Sequence, residues 1–354
     1  MNFNNAIRPR RLRSSPLLRE LTAGPRLSPR DFVAPLFVRL GTRVRSPIPS
    51  MPGIFQFSPD TAVEELRRLA DLGLAAFLHF GITDPDKKDP AGTHAHDENN
   101  AVCHTLKMTR DAGIPLAAIT DLCFCEYTSH GHCGTLKSGD NLNASGETTV
   151  DNDATVAALG RQAVVHARCG ADIIAPSAAM DHMVAGIRGA LDEAAFTDLP
   201  ILSYAVKYAS AFYGPFRDAA ESPPQFGDRK TYQMDPRRGT AEALREAALD
   251  LEEGADMLMV KPGLPYLDVL RAVADASPVP TAVYQVSGEY AMLKAAAANG
   301  WIDEKAALLE IMHAFKRAGA AFILTYYAPP LAAGLRWRTL PRVPMAYAPP
   351  PHTA

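Results

Sequence analysis

The sequence predicts an α/β fold, namely a (β/α)8 or TIM barrel with an extended N-terminal arm. Three observations predict it: eight short apolar runs rich in β-forming residues, eight longer stretches of helical periodicity, and the alternation of the two along the chain. Eight parallel βα units favour closure into a barrel, although periodicity alone leaves an open doubly wound sheet as an alternative. The strands are predicted at residues 32–38, 75–80, 115–122, 171–177, 200–207, 255–261, 281–286 and 321–326.

The eight predicted helices supply the second half of each unit. Five of them end at a glycine, which adopts the left-handed conformation of the C′ position readily. These glycines are Gly73, Gly113, Gly170, Gly254 and Gly319. The helices are predicted at residues 61–72, 98–112, 153–169, 183–196, 240–253, 267–276, 289–299 and 304–318.

The two ends of the chain differ in composition from the predicted barrel, residues 31–328. Residues 1–30 carry seven arginines, one acidic residue and four prolines. Because the prolines would interrupt the amphipathic helix of an organelle transit peptide, we predict an extended arm. Residues 329–354 hold seven prolines and no acidic residue, which predicts a disordered Pro-rich tail.

Charge and composition favour a small-molecule partner. With 36 Lys plus Arg against 39 Asp plus Glu, the formal charge is −3, so no basic field indicates nucleic acid or an anionic membrane. No apolar run approaches the roughly 18 residues that span a bilayer. Five cysteines, three of them within eleven positions, suit a reducing compartment, and we expect the cytoplasm.

A ring of polar residues ends the predicted strands. In either α/β fold the ligand site lies at the carboxyl ends of the strands. These polar residues therefore form the candidate active site. They are Asp121, Ser177, Lys207, Lys261, Ser287 and Tyr326.

Two of these residues are lysines that close apolar strands. Lys207 follows Ile-Leu-Ser-Tyr-Ala-Val, and Lys261 follows Met-Leu-Met-Val. A buried lysine beside a second cation has a lowered pKa and supplies the neutral amine that attacks a carbonyl, which favours Schiff-base chemistry for the pair. The alternative is that each lysine extends to the barrel rim or pairs with a carboxylate.

Two arginines follow Lys207 in a stretch rich in Gly and Pro. Arg217 lies in Tyr-Gly-Pro-Phe-Arg-Asp, and Arg229 lies in Gly-Asp-Arg-Lys. The composition predicts a loop over the strand ends, where arginines suit bidentate capture of a substrate carboxylate. Exposed arginines in surface salt bridges are the alternative.

Three cysteines follow the third predicted strand with the spacing C-x-C-x7-C. Cys123 and Cys125 fall on one side of an extended chain, and the glycine-containing loop can return Cys133 to them. Three thiolates select zinc, and a site with three protein ligands leaves a position for water or substrate, as in catalytic zinc sites. A disulfide or plain buried thiols are alternatives. A fourth ligand would make the site structural; the candidates are His130, His132, Cys103 and Cys169.

These residues lie in motifs that resemble the 5-aminolevulinate dehydratase (porphobilinogen synthase) family of tetrapyrrole and heme biosynthesis. The resemblance runs from about Arg8 to Pro329. The motifs are Ser-Met-Pro-Gly at 50–53, Thr-Ser-His-Gly-His-Cys-Gly at 128–134, Ser-Tyr-Ala-Val-Lys-Tyr-Ala-Ser at 203–210, the run at 213–217, and Met-Val-Lys-Pro-Gly at 259–263. The resemblance implies a lyase that condenses two 5-aminolevulinate molecules to porphobilinogen in a homo-oligomer, usually an octamer, whose arms embrace neighbouring subunits.

The resemblance also implies roles for single residues. Lys261 would form a Schiff base with the first substrate, which becomes the propionate side of the product, and Lys207 with the second. The cysteine triplet would hold zinc, and Glu246 matches an allosteric magnesium ligand. The implied substrate contacts are Ser287 and Tyr326 for the first carboxylate, Arg217, Arg229 and Gln233 around the second substrate, and Asp121 and Ser177 along the pocket.

The chain departs from the family in two places. Residues 178–183 read Ala-Ala-Met-Asp-His-Met where the family commonly has Asp-Met-Met-Asp-Gly-Arg, and the tail after Pro329 is rich in proline. The altered segment 178–183 motivates a rival interpretation as a catalytically silent zinc-binding scaffold that acts through assembly. A second rival is another Schiff-base barrel, such as an aldolase-type lyase, which would need one lysine and no metal.

Overall fold

Ten strands form the sheet of this computed structural model, which describes residues 7–137 and 149–336. Eight of them are parallel and build the barrel wall, while β2 and β3 form a small antiparallel hairpin whose second strand also pairs with β1. The strands are β1 (Phe32–Arg39), β2 (Arg45–Pro47), β3 (Phe55–Phe57), β4 (Ala76–Ile82), β5 (Ala117–Leu122), β6 (Ile173–Pro176), β7 (Leu202–Lys207), β8 (Met257–Lys261), β9 (Thr281–Gln285) and β10 (Ile323–Thr325).

The barrel wall runs in the order β6-β5-β4-β1-β10-β9-β8-β7. Its two outer strands meet through a parallel bridge between Ile174 and Ile201, where the Ile174 N–H donates to the Pro200 carbonyl at 3.0 Å. A sheet of eight parallel strands with joined ends is a TIM barrel. The predicted fold class is therefore confirmed, and the open-sheet alternative is wrong.

Eleven α-helices accompany these strands within the described ranges. The five glycines predicted at C′ positions all adopt positive φ, between +61° and +106°, as the sequence analysis requires. The helices are α1 (Pro16–Leu21), α2 (Pro59–Asp71), α3 (Ala101–Asp111), α4 (Asn152–Cys169), α5 (Met183–Glu193), α6 (Gly214–Ala219), α7 (Thr240–Glu252), α8 (Leu267–Ala276), α9 (Ser287–Ala298), α10 (Glu304–Arg317) and α11 (Ala328–Arg336).

The helix that follows the last strand is α11, in the stretch predicted to be a disordered tail. That prediction is wrong for residues 329–336; the later part of the tail lies outside the described residues. The prediction took the prolines as evidence against a helix. Pro329 and Pro330 are tolerated because they occupy the first turn of α11, where backbone N–H groups have no intrahelical partner to lose. The alanines and leucines that follow favour helix.

The predicted arm is partly helical and largely exposed. A 3-10 turn at Pro9–Arg13 precedes α1, and three leucines, Leu12, Leu17 and Leu21, are 56%, 75% and 74% exposed. Residues 1–6 of the arm lie outside the described ranges. In the described chain no helix is both long and apolar enough to cross a membrane.

Two histidines are fully buried between the barrel wall and α4. Phe80 lines the inner cavity, so the alternation of β4 places His79 on the outer face. His166 comes from α4, and both side chains are 0% exposed. None of their four ring nitrogens has a hydrogen-bond partner in the described part of the chain. Burial is the main cause that lowers the pKa of each to about 3, so both are neutral at pH 7.

This pair predicts a loss of stability in mild acid. The unfolded chain protonates both histidines below about pH 6.5, whereas the folded chain does not protonate them until pH falls to about 3. At pH 5 each histidine should lower the free energy of unfolding by about 2 kcal/mol relative to neutral pH. A variant with His79→Leu and His166→Leu should therefore show a flatter dependence of unfolding free energy on pH between 7 and 5 in urea titrations.

His104→Leu supplies the control, because it removes an exposed histidine of α3 that lies outside the buried pair. Equal slopes for the wild type and the double variant would contradict the interpretation.

Candidate active site

The two predicted lysines lie side by side at the ends of neighbouring strands. Lys207 of β7 and Lys261 of β8 are register partners, and they are 7% and 6% exposed. The ammonium group of Lys207 donates to the Ser177 carbonyl. Neither amine has a carboxylate oxygen within 4.0 Å among the described residues, so the alternative of rim-exposed or ion-paired lysines does not describe this site.

Aromatic rings surround the Lys261 amine. Such rings attract a cation through their quadrupole and also exclude water from it. The Nζ atom lies 4.4 Å from the ring centroid of Tyr284, 5.0 Å from Tyr204, and 5.5 Å from Tyr213 and Phe216.

The pKa of Lys261 is lowered to about 7. Burial is the larger cause, and the charge of Lys207 lowers the pKa further, while Asp121 opposes both. A substantial fraction of Lys261 is therefore a neutral amine near pH 7, and a neutral amine is the nucleophile that adds to a ketone.

Two buried carboxyl groups lie beside the lysines. Asp121 accepts a hydrogen bond of 3.0 Å from the Ser177 hydroxyl, and burial raises its pKa despite both lysines. Glu126, 3% exposed, places a carboxyl oxygen 3.2 Å from the sulfur of Cys125, and burial followed by the charge of Asp121 raises its pKa to about 7. The site thus holds groups that can keep or release a proton near neutral pH.

One cavity of about 20 Å³ connects these groups, and that space is close to what a single water molecule needs. Nine predicted site residues line it: Asp121, Ser177, Lys207, Lys261, Arg217, Arg229, Gln233, Cys123 and Cys125. Four residues of the lining were not predicted: Phe80, Glu126, Tyr213 and Phe216.

Three nitrogen donors at this cavity have no hydrogen-bond acceptor in the described part of the chain. Within the described residues, the Nε atoms of Arg217 and Arg229 and the Nε2 atom of Gln233 are buried without a hydrogen-bond partner. Arg229 is fixed by bonds from Nη2 to the carbonyls of Gly131 at 2.8 Å and Ser222 at 3.1 Å. Buried donors of this kind favour an anionic ligand such as a carboxylate, and the alternative of surface salt bridges does not fit.

Ser287 and Tyr326 do not line the cavity. They contact residues of the aromatic shell, as we call the four rings around the Lys261 amine. The Ser287 hydroxyl accepts a hydrogen bond of 2.9 Å from the Phe216 N–H and donates one of 3.3 Å to the Phe212 carbonyl. The Tyr326 hydroxyl accepts a 3.2 Å bond from Tyr284. The predicted contact of Ser287 with a substrate carboxylate therefore requires its hydroxyl to leave Phe216.

The three predicted cysteines form one buried cluster. Their sulfur atoms all lie within 4.8 Å of one another, with Cys123 and Cys125 at 3.3 Å, and all are free thiols. Hydrogen bonds from the other two thiols, followed by the charge of Arg229, lower the pKa of Cys133 well below its usual value. Burial raises the pKa of Cys123, and the hydrogen bond with Cys123 raises that of Cys125, so one of the three thiols deprotonates more readily than the other two. Three convergent sulfur atoms of this kind could bind a metal ion.

None of the four candidates for a fourth ligand joins this cluster. His130 uses its ring nitrogens on the Pro90 carbonyl and the His132 N–H, and His132 uses its own on Phe226 and Tyr232. No fourth His, Asp, Glu or Cys of the described ranges lies within 4.8 Å of all three sulfurs. The three sulfurs are thus the whole protein donor set of this cluster in the described ranges, and two of them, those of Cys123 and Cys125, line the cavity.

Glu246 and the altered segment 178–183 lie outside the cavity lining. Glu246 is on α7, where burial followed by the charges of Asp181 and Glu242 raises its pKa. In the altered segment, His182 adopts φ +60°, unusual for a residue with a side chain, and its Nδ1 lies 3.1 Å from Glu253. The altered side chains therefore do not form part of the lining of the cavity that holds the two lysines.

The sequence analysis did not predict that Tyr204 belongs to the aromatic shell, because β7 departs from regular alternation. Strict alternation along β7 places Tyr204 and Lys207, three residues apart, on opposite faces. A register shift between Ser203 and Val206 instead brings both side chains inside the barrel. Glu126 was missed because the only signal was its place directly after Cys125.

Comparison with known proteins gives one consistent result. A family model described as delta-aminolevulinic acid dehydratase matches residues 6–334. The chain is 51% identical over 330 residues to the delta-aminolevulinic acid dehydratase of Synechococcus elongatus, covering 93% of this chain and 98% of that protein. It is 48% identical over 328 residues to the one of Bacillus subtilis, with the same coverage.

A solved structure is also similar over most of its length. It is the crystal structure of delta-aminolevulinic acid dehydratase (porphobilinogen synthase) from Toxoplasma gondii, in complex with the reaction product porphobilinogen. The sequences are 42% identical, the match covers 93% of this chain and 91% of that one, and the TM-score is 0.88. The similarity therefore extends from sequence to the whole barrel.

The charge of Lys207 predicts a shift in the titration of its neighbour. Lys207→Met removes that charge, so the pKa of Lys261 should rise and the neutral amine should form at higher pH. The measurement is the rate of Lys261 acetylation by acetic anhydride against pH, read by mass spectrometry, with a midpoint near pH 7 for the wild type. Lys294→Met, at another cavity, is the control and should leave the midpoint in place. An unshifted midpoint in Lys207→Met would show that the two amines do not interact.

Proposed function

Because the chain belongs to the delta-aminolevulinic acid dehydratase family, we propose that it condenses two molecules of 5-aminolevulinate into porphobilinogen with loss of two waters. The observation that carries the proposal is the pair of buried amines, Lys207 and Lys261, in register within one cavity. Two amines allow both ketone substrates to be held as imines at once. A single-lysine aldolase would need only one of them.

Lys261 supplies the first nucleophile. Its pKa of about 7 leaves a neutral amine that adds to the substrate ketone, and loss of water from the carbinolamine gives the imine. We assign Lys261 to the substrate that becomes the propionate side, and Lys207 to the acetate side. Asp121 has one carboxyl oxygen bound to Ser177 and the other unpartnered in the described chain, so it can take or return a proton beside both amines.

Substrate carboxylates meet two kinds of donor. Arg217, Arg229 and Gln233 present unpartnered N–H groups to the cavity, which suits the second substrate. Ser287 and Tyr326 are assigned to the first carboxylate.

A cavity of about 20 Å³ cannot hold two substrate molecules, so the cover segment, residues 211–219, must move to admit them. The hydrogen bonds of Ser287 to Phe212 and Phe216 fasten that segment to α9. Substrate entry therefore breaks contacts of the residue assigned to bind the first carboxylate.

Zinc is the metal that the donor set favours. Cys123, Cys125 and Cys133 would hold it, because soft thiolates select zinc and three protein ligands leave a position for substrate. When bound there, zinc supplies Lewis-acid activation of the second substrate. Glu246, next to Asp181 and Glu242, is assigned to an allosteric magnesium ion.

The arm suggests assembly into a homo-oligomer, which we expect to be an octamer in the cytoplasm. Three exposed leucines on the described part of the arm leave apolar surface that a second copy could cover. Arm truncation should therefore reduce the oligomer size in gel filtration.

The central test is pyrrole formation from 5-aminolevulinate at mildly alkaline pH with added zinc, followed with a colour reagent for porphobilinogen. Steady turnover is expected, and Lys261→Met should abolish it because the imine cannot form. Lys294→Met is the matched control and should retain turnover. Absence of pyrrole from a folded, zinc-loaded protein would reject the function and favour the scaffold interpretation.

Metal content tests the cysteine site separately from turnover. The wild type should retain about one zinc per chain after gel filtration, as a three-thiolate site predicts. Cys125→Ala should lose the zinc, whereas Cys169→Ala, which removes a buried free thiol outside the cluster, should keep it. Elemental analysis gives the ratio, and equal zinc in the wild type and Cys125→Ala would exclude this site.

A further inference from the structure

A buried carboxylate joins the end of β8 to the start of α9. Glu289 is 2% exposed, and its two oxygens accept hydrogen bonds from three backbone N–H groups. Leu264 donates at 2.6 Å and Gly263 at 3.3 Å, both in the turn that follows Lys261. Val286 donates at 2.7 Å from the residue just before α9. One side chain thus holds two separate segments of backbone together.

Each of these segments carries a site residue. The turn at Gly263 begins two residues after Lys261, and Ser287 directly follows Val286. We propose that Glu289 is a positioning residue that fixes the Lys261 amine relative to Ser287, and so relative to the carboxylate of the first substrate. This inference rests on the function proposed above and assigns Glu289 no contact with substrate.

A carboxylate suits this place better than other side chains. Burial raises the pKa of Glu289 to about 7, while the three backbone N–H donors favour its ionised form. An ionised carboxylate offers these donors two oxygens with about four acceptor positions and no N–H group. It also lies in the first turn of α9, where the helix dipole favours negative charge. An amide has only one acceptor oxygen, so Gln at this position would turn an N–H group toward the backbone donors of one segment.

Gly288 extends the connection to the cover segment. A Cβ atom there would lie 2.5 Å from the Phe212 carbonyl oxygen, so only glycine lets residues 211–219 approach α9 this closely. Ser287 fastens the same segment through Phe212 and Phe216. Ser287, Gly288 and Glu289 therefore connect the cover segment, the proposed site for the substrate carboxylate and the turn after Lys261.

Glu289→Asp separates this role from helix capping. Aspartate at the third position of a helical turn can still cap it: Asp31 accepts the Ser28 N–H at 2.6 Å in the turn before β1. One methylene shorter, the side chain should keep the Val286 contact and lose those to Gly263 and Leu264. Glu289→Gln is the second variant, because it keeps the side-chain length and loses one acceptor.

The readout is the site of imine trapping. Each protein is mixed with 5-aminolevulinate and borohydride, whose hydride reduces the C=N bond to a stable secondary amine, and the modified lysines are quantified by mass spectrometry. In Glu289→Asp, labelling of Lys261 should fall about tenfold while labelling of Lys207 is retained, and kcat should fall about 10- to 100-fold, as expected for a misplaced reacting group. Simple loss of stability would lower both labels equally.

Asp256→Asn is the matched control. Asp256 also accepts a backbone N–H, from Ile201 at 2.8 Å, but at the opposite end of the barrel. This variant should keep the wild-type labelling pattern and kcat. Wild-type labelling and kcat in both Glu289 variants would overturn the inference.

Failure of the proposed function gives a different result. In that case the wild type itself forms no adduct on either lysine. The inference about Glu289 is then decided by acetylation of Lys261, which needs no substrate. Release of the turn should expose the amine and make its acetylation faster in Glu289→Asp than in the wild type and in Asp256→Asn, and an equal rate would reject the positioning role.

Discussion

The parallel register of β7 and β8 is the constraint on which the site depends. It sets Lys207 opposite Lys261, so two amines end adjacent strands inside a closed barrel. Two ammonium groups held this near each other in a buried site repel each other and lack hydration. Both effects lower the pKa of Lys261. The neutral amine on Lys261 follows from the register and from burial together. No special residue is needed to deprotonate it.

Local signals were sufficient for the framework and for the reacting groups. Strand runs, helical periods and C′ glycines depend on neighbours in sequence, so they predicted the eight-stranded barrel. The lysines and cysteines could be found in the same way, since each closes or follows an apolar strand. Once closure is assumed, parallel strands carry such residues to the same end of the barrel.

What the sequence could not predict depends on contacts between distant segments. The bulge in β7 reverses the alternation that would separate Tyr204 from Lys207, and no local pattern marks it. Glutamate is usually exposed, and only the folded chain shows that Glu126 and Glu289 are buried. Helix α11 was hidden by prolines that are tolerated in a first turn. The substrate contacts of Ser287 and Tyr326 remain predictions, because both lie behind the shell.

The cavity around Lys261 must satisfy two opposed requirements, and the start of α9 contributes to both. The aromatic shell keeps the Lys261 amine dry and therefore reactive, yet two charged substrates have to enter a cavity of about 20 Å³. A ligand shifts such an equilibrium only through contacts that differ between the two states. Ser287 offers such a difference, because its hydroxyl binds the cover segment in the closed structure and is assigned to the substrate carboxylate after entry. Exchange of one partner for the other would couple opening to binding, while Glu289 keeps Lys261 in place during the exchange.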